Sequence, residues 1–344
     1  MASSGLTHGS VIPSCKSLDY LFSGKFVYIM SEKFKIFTLD QLTKDGKELK
    51  MKVNSSTETI NYLILSLRNE VDKIEPSFQV LEDICYDLIT RLPLPIHLYE
   101  NSFVLRARPN EPHLFTNQSQ INYNSERPDL IKLQRFNLDE EQVFYCAAPI
   151  VGGNSNGAMT TIIESFKEIF DKESTWQHKA LTIGRWMVHK PMKLIALAFY
   201  DTALKNSIHM QNIIPYFQLF LDSVFDIEDQ KKCRLFYGYF SECAGKVNDT
   251  RNNYLLTTAF YHAIKKYYGE DVGILYSSSV TENHGINIVL SKEIVDRQHI
   301  KLDTVVVYEL FKDPNNPFRI SGIPTMESKV DEQGNFDLRS IIYK

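Results

Sequence analysis

Read for the alternation of apolar and polar positions, the chain falls into two regions. In STETINYLILSLRNEVDKI, apolar Ile60, Leu63, Leu67 and Val71 recur at helical spacing behind a Ser/Thr-rich start, which predicts an amphipathic helix. FQVLEDICYDLITRL repeats the pattern and stops at LPLP, where proline disfavours helix in the residue before it. A boundary is therefore expected at Leu92 to Pro95. It divides a small, mainly helical N-terminal domain (16–95, behind a loose start over 1–15) from a larger unit over 96–344. Before the first helix, KFVYIM and KFKIFTL are short strand or helix candidates.

The larger unit reads differently. HLYENSFVLRARP alternates and is rich in β-branched and aromatic residues, as a strand is. VFYCAAPIV, MKLIALAFY, GILYSSSV, INIVL and VVVYEL add further strands, with charged turns after the last. Helices are expected over MTTIIESFKEIF, IIPYFQLFLDSVF and NNYLLTTAFYHAIKKYYG. In the last, Leu255, Ala259, Ala263 and Tyr267 share a face and Gly269 is the stop. The order is not a regular βαβα alternation, so the pattern predicts an α+β fold.

Composition narrows the class. The 344 residues are 43% hydrophobic, enough for a core, and the net charge of −4 carries no basic surplus of the kind nucleic-acid binders use. Cys15, Cys85, Cys146, Cys233 and Cys243 are scattered and odd in number, which argues against a disulfide framework and for a reducing cytoplasm. The opening MASSGLTHGSVIPS lacks a signal peptide's apolar core, and LIALAFY is too short to span a bilayer, so no membrane association is expected. The nine histidines show no metal-ligand spacing. Phosphate-loop, dinucleotide-fold and nucleophile-elbow motifs are absent.

What remains is a set of polar residues on strands and helix starts. Arg106 and Arg108 share one face of their strand, and Arg135 precedes another. Guanidinium groups so placed suit phosphate oxygens, or equally a salt bridge. Tyr145 is either a core ring or one that stacks on a flat ligand. Glu164, between Ile163 and Phe166, is either at the edge of an apolar stripe or inside a pocket. Ser277 to Ser279 follow a strand and offer hydroxyls.

Together these stretches resemble the RES-domain family, named for its arginine, glutamate and serine. QRFN matches the family's R-x-N segment with Arg135 and Asn137; VFYCAAP supplies Tyr145, and TTIIESF supplies Glu164. YLLTTAFYHAIKKYYGEDVGILYSSSVTENHGINIVL matches the later helix and two strands, with Ser278 at the serine position and Asn287 in the final strand. FVLRARP looks like the first arginine strand, with Arg106 the nearer match and Arg108 its rival. The resemblance covers roughly residues 98–300. The sequence departs from the pattern in LDEE, where a Pro/Gly turn is common, in Ser277, where proline precedes the serine, and in GGNSNGAM, which lengthens the gap before Glu164.

The resemblance implies an ADP-ribosyltransferase-like fold, a split mixed β core with helices around a nicotinamide cleft. It implies cleavage of NAD at the nicotinamide–ribose bond, with inorganic phosphate or water as acceptor and no resident cofactor. By the same resemblance Glu164 stabilises the cationic sugar, and Arg135 and Arg106 or Arg108 hold the diphosphate or incoming phosphate. Tyr145 packs on the nicotinamide or ribose, Ser278 orients Glu164 or the carboxamide, and Asn137 and Asn287 complete the substrate contacts. Transfer of ADP-ribose to a macromolecule and an inactive nucleotide-binding module are the competing functions. An antitoxin is the partner typical of compact members, and the N-terminal helices are expected to dock on the larger unit or to form a dimer.

Overall fold

The computed structural model describes Val53 and residues 55–110, 113–149, 157–166, 175–246, 250–314 and 316–342. The loose start over 1–15, the candidates KFVYIM and KFKIFTL, Cys15, the GGNSN of GGNSNGAM and the KEIF that ends the expected helix MTTIIESFKEIF lie outside these residues. The first helices form where the apolar spacing places them. Helix α1 (Thr57–Val71) starts at Ser56, whose hydroxyl accepts from Thr59 N at 3.2 Å, and α2 (Phe78–Arg91) starts at Ser77 and ends at Leu92, just before proline.

Ten strands then build one sheet among the described residues. They are β1 (Ile96–Tyr99), β2 (Phe103–Pro109), β3 (Val143–Ala147), β4 (His178–Val188), β5 (Met192–Leu197), β6 (Val272–Ser277), β7 (Ile286–Ser291), β8 (Ile300–Asp313), β9 (Asn316–Lys329) and β10 (Arg339–Ser340). Their order across the sheet is β1-β5-β6-β7-β3-β2-β4-β8-β9-β10. Every pairing is antiparallel except β5 with β6. The fold is mixed α+β. The other helices are α3 (Gln118–Ile121), α4 (Gly157–Ser165), α5 (Asp201–Asn206), α6 (Ile208–Val224), α7 (Ile227–Gly245), α8 (Arg251–Tyr268) and α9 (Lys292–Asp296). Helices α5 to α8 make the crossover that a parallel pair requires.

Alternation along the strands sorts the core onto two faces. Ile274, Tyr276 and Val289 point to one face, under α1, α2, α7 and α8. Leu105, Ala107, Leu181 and Tyr308 continue that face toward β8, under Ile162 and Ile163 of α4. Val104, Phe144, Leu275 and Ile288 point to the other face, packed with Ala203 of α5, Phe217 of α6 and Ile294 of α9.

Three sequence expectations are corrected. The boundary at Leu92 to Pro95 is a turn within one core: α2 packs along α8, and Asn252 Nδ2 donates to Val71 O at 2.9 Å and to Lys73 O at 3.0 Å. The buried faces of α1 and α2 are therefore used within the chain. In α8 the buried positions are Leu256 to Tyr261, Ala263 and Ile264, with Leu255 and Tyr267 at the margin. A helix covered by both α2 and the sheet has no single apolar stripe. The charged turns expected near the end are the long strand β9.

The sheet is nearly parted between β2 and β3, which share the single register pair Leu105 and Ala147. Helix α4 lies over this gap. Thr161 Oγ1 accepts from Ala107 N at 3.1 Å and donates to Leu105 O at 3.2 Å, so a helix side chain satisfies strand groups that a neighbouring strand would otherwise take. On the far side, a Cβ on Gly285 would overlap both Thr160 Oγ1 and Cγ2, so glycine is what lets the β6–β7 turn come this close to α4.

Candidate active site

Glu164 sits on the last turn of α4, above the gap. Ser278 Oγ, just past β6, donates to Glu164 Oε1 at 2.6 Å, and Asn287 Nδ2 on β7 donates to the same oxygen. Ser278 and Asn287 are both buried, so these contacts are fixed by the sheet. Among the described residues no side chain or amide donates to Glu164 Oε2. The carboxylate is thus pinned through one oxygen, and the other has no donor among the described residues.

Arg135 reaches the neighbouring residue. Its Nη2 donates to Ser279 Oγ at 3.3 Å, Nη1 donates to Cys243 O at 3.2 Å, and both donate to Lys246 O at 3.4 Å. The carbonyls belong to the end of α7, where unpaired oxygens and the helix dipole favour a cation. The guanidinium also lies 5.6 Å from the ring centre of Tyr254. From beneath, Thr257 Oγ1 on α8 donates to Arg135 O, and Thr258 Oγ1 donates to Gln134 O at 3.2 Å. Guanidinium and carboxylate therefore meet the adjacent residues Ser279 and Ser278.

Tyr145 does a different task from the ring expected to pack on a ligand. Its hydroxyl accepts from Phe136 N at 2.9 Å and donates to Asn137 Oδ1 at 3.0 Å, so it holds the turn that carries Arg135. Burial pushes its phenol well above the ordinary range. Asn137, expected to touch substrate, is 1% exposed, and its amide donates to Lys132 O and Leu138 O, which makes it part of that turn.

The two strand arginines are also corrected. Arg106 projects to the face opposite Glu164, with its guanidinium 4.9 Å from the ring centre of Phe144. It donates to Ile121 O at 3.2 Å, Tyr145 O at 2.6 Å and Asn122 O at 3.3 Å, bridging the gap between β2 and β3 from behind. Burial and the charge of Arg108 bring its pKa down to about 10. Arg108, on the same opposite face by alternation, donates to Gln120 O at 3.2 Å and Asn122 O at 3.4 Å. Neither arginine lies on the Glu164 side of the sheet.

Two of the three departures from the pattern the sequence resembles have local explanations. In LDEE, Glu141 Oε2 accepts from Leu138 N at 2.8 Å and lies 2.9 Å from His262 Nε2, while Lys265 Nζ donates to Oε1 at 2.8 Å. Burial alone would raise this carboxyl, but the His262 contact and the Lys265 charge outweigh it and hold it at about 2. Ser277 Oγ donates to Asn283 Oδ1 at 2.6 Å and fixes the β6–β7 turn. Sequence reading named Ser279 only as one of three strand-end hydroxyls and did not single out Tyr276. The signal for Tyr276 was its place two residues before Ser278, hence on the same strand face. Among the described residues no group of His, Cys, Asp and Glu is arranged to hold a metal ion, and no helix is long and apolar enough to cross a membrane.

No protein-family model matches the chain, and no curated protein matches it either. The functional reading rests on the arrangement around Glu164.

Proposed function

We propose that the protein cleaves the bond between nicotinamide and ribose in NAD, passing ADP-ribose to inorganic phosphate or to water. The observation that carries this reading is the half-satisfied carboxylate: Glu164 is held at Oε1 by Ser278 and Asn287, with Oε2 left for substrate. As the glycosidic bond breaks, its electron pair stays on the nicotinamide nitrogen and the group leaves neutral. The sugar carbon becomes cationic, as in other glycosyl transfers. A carboxylate already aimed at that carbon stabilises the cation more than the ground state and needs no reorganisation during the step. Water or phosphate then adds to the carbon and gives its surplus proton to solvent. Arg135, beside Ser279, supplies positive charge for the diphosphate or the incoming phosphate.

Two further features support the reading. The gap between β2 and β3, overlaid by α4, is the arrangement a split ADP-ribosyltransferase-like core would need. Tyr145 ties the Arg135 turn to the strand beside that gap. Arg135, Tyr145, Glu164 and Ser278, although widely spaced in sequence, are linked through Ser279 and the Phe136–Asn137 turn, which supports the reading, while Arg106 and Arg108 lie on the opposite face. The reading carries a cytoplasmic setting and an antitoxin-like regulator as its corollaries.

The test is incubation of the protein with NAD, with and without phosphate, followed by analysis of small products. Nicotinamide with ADP-ribose-1″-phosphate identifies phosphorolysis, and nicotinamide with ADP-ribose identifies hydrolysis. ADP-ribose attached to protein would move the assignment to transfer. NAD recovered intact but bound would make the protein a nucleotide-binding module.

A further inference from the structure

The geometry points to Tyr276 as a substrate-contacting residue whose hydroxyl donates a hydrogen bond to a ribose hydroxyl beside Glu164. This assignment rests on the reading of the site as one for a ribose nucleotide. Tyr276 is the direct cross-strand partner of Asn287 and lies two residues before Ser278. Partners in an antiparallel pair, and alternate residues along a strand, share a face. Tyr276 therefore stands beside the two groups that hold Glu164 Oε1. Its ring meets Phe136, next to Arg135, edge-on with centres 5.0 Å apart, which fixes the ring's direction.

The side chain is 5% exposed, and the Asn287 side chain hydrogen-bonds to its hydroxyl, close enough to Glu164 for the two groups to interact electrostatically. Other buried tyrosines of this core spend their own proton on a carbonyl: Tyr237 donates to Pro93 O at 2.6 Å, and Tyr261 donates to Val272 O at 3.1 Å. Against the rise from burial, the Asn287 contact lowers the phenol's pKa, as a donor to its oxygen does, so the phenol's own proton is left for a ligand to accept. Burial, with the negative charge of Glu164 nearby, keeps the group protonated, hence a donor at neutral pH. A carboxylate oxygen that accepts and a phenol that donates, side by side, suit the vicinal hydroxyls of a ribose. One hydroxyl donates a hydrogen bond to Glu164 Oε2, and the other accepts one from Tyr276.

Tyr276→Phe keeps the ring against Phe136 and removes only the donor. The full-length protein and this variant are compared in NAD cleavage and, by calorimetry, in binding of ADP-ribose, which keeps the second ribose but has no nicotinamide to lose. ADP, which lacks that ribose, is the control. The expected result is a rise of about tenfold in KM for NAD and an equal loss of ADP-ribose affinity. The change in kcat is smaller, and ADP binding and the melting temperature are unaltered. Unchanged KM and unchanged ADP-ribose affinity would overturn the assignment, as would an equal loss for ADP. If wild-type protein binds ADP-ribose but releases no nicotinamide, the cleavage reading fails, and the ADP-ribose comparison alone decides on Tyr276. If wild-type protein binds none of these nucleotides, both readings are overturned.

Discussion

Arg106 and Glu164 stand on opposite faces of the same gap and show what separates a structural charge from a chemical one. Arg106 uses Nε, Nη1 and Nη2 on three main-chain carbonyls and lies over an aromatic ring. Nothing about it awaits a ligand. Glu164 has one oxygen held twice and the other held by nothing among the described residues. Both are charged residues embedded in apolar sequence, and both suit a nucleotide by residue type. The distinction lies in how completely the fold satisfies each one.

The comparison can be broken most severely at the arginine. Arg106→Met leaves the carbonyls of Ile121, Asn122 and Tyr145 without their donor, and the expected cost is about 3–4 kcal/mol of stability in denaturant titration. Turnover per folded molecule is expected to persist, because the residue is on the far side of the sheet. Retained stability with lost NAD affinity would return Arg106 to the binding site.

Smaller changes sharpen the contrast from the side of the carboxylate. Ser278→Ala frees one of the two groups that hold Glu164 Oε1, and kcat should fall about 30-fold, which corresponds to about 2 kcal/mol. The melting temperature should move by only a few degrees. A large melting shift with full activity would make Ser278 a packing residue.

Glu141 is the fully partnered counterpart of Glu164. Its carboxyl, held at about 2 against an ordinary value of 4.5, contributes stability above the ordinary value that is lost as pH falls toward 2. Glu141→Gln should therefore cost about 1–2 kcal/mol at neutral pH, with the difference from wild type closing between about pH 4.5 and pH 2. A pH-independent difference would mean that packing, not charge, is what the glutamate supplies. The smallest effect is expected for Arg108→Ala, whose bonds reach only Gln120 O and Asn122 O: under about 1 kcal/mol in stability and no change in KM for NAD.

These contrasts also mark what the chain discloses when read linearly. Helices α1 and α2 were legible because one face of each meets the core and the other meets solvent, and Ser56 and Ser77 mark their starts. Helix α7 was not, because Cys233, Phe236, Tyr237 and Tyr239 bury more than one side of it and blur the period. Strand β9 was hidden by its proline, glycine and charged residues, which a strand near the sheet edge tolerates. The connection from Glu164 to Ser278 and Asn287 was accessible only through resemblance, since no local pattern says which distant donors a carboxylate will meet. The faces taken by Arg106 and Arg108 depend on strand register across the gap, and alternation alone gives only that they match each other.

The central claim is that Glu164 stabilises a cationic sugar carbon. It is tested most directly by the rate of nicotinamide release from NAD, measured for wild-type protein and for Glu164→Gln at matched folding. The account predicts clear release by the wild type and a fall of at least about a thousandfold in the variant, whose amide keeps the shape but not the charge. Equal rates in the two proteins, or no release by folded wild-type protein, would contradict it.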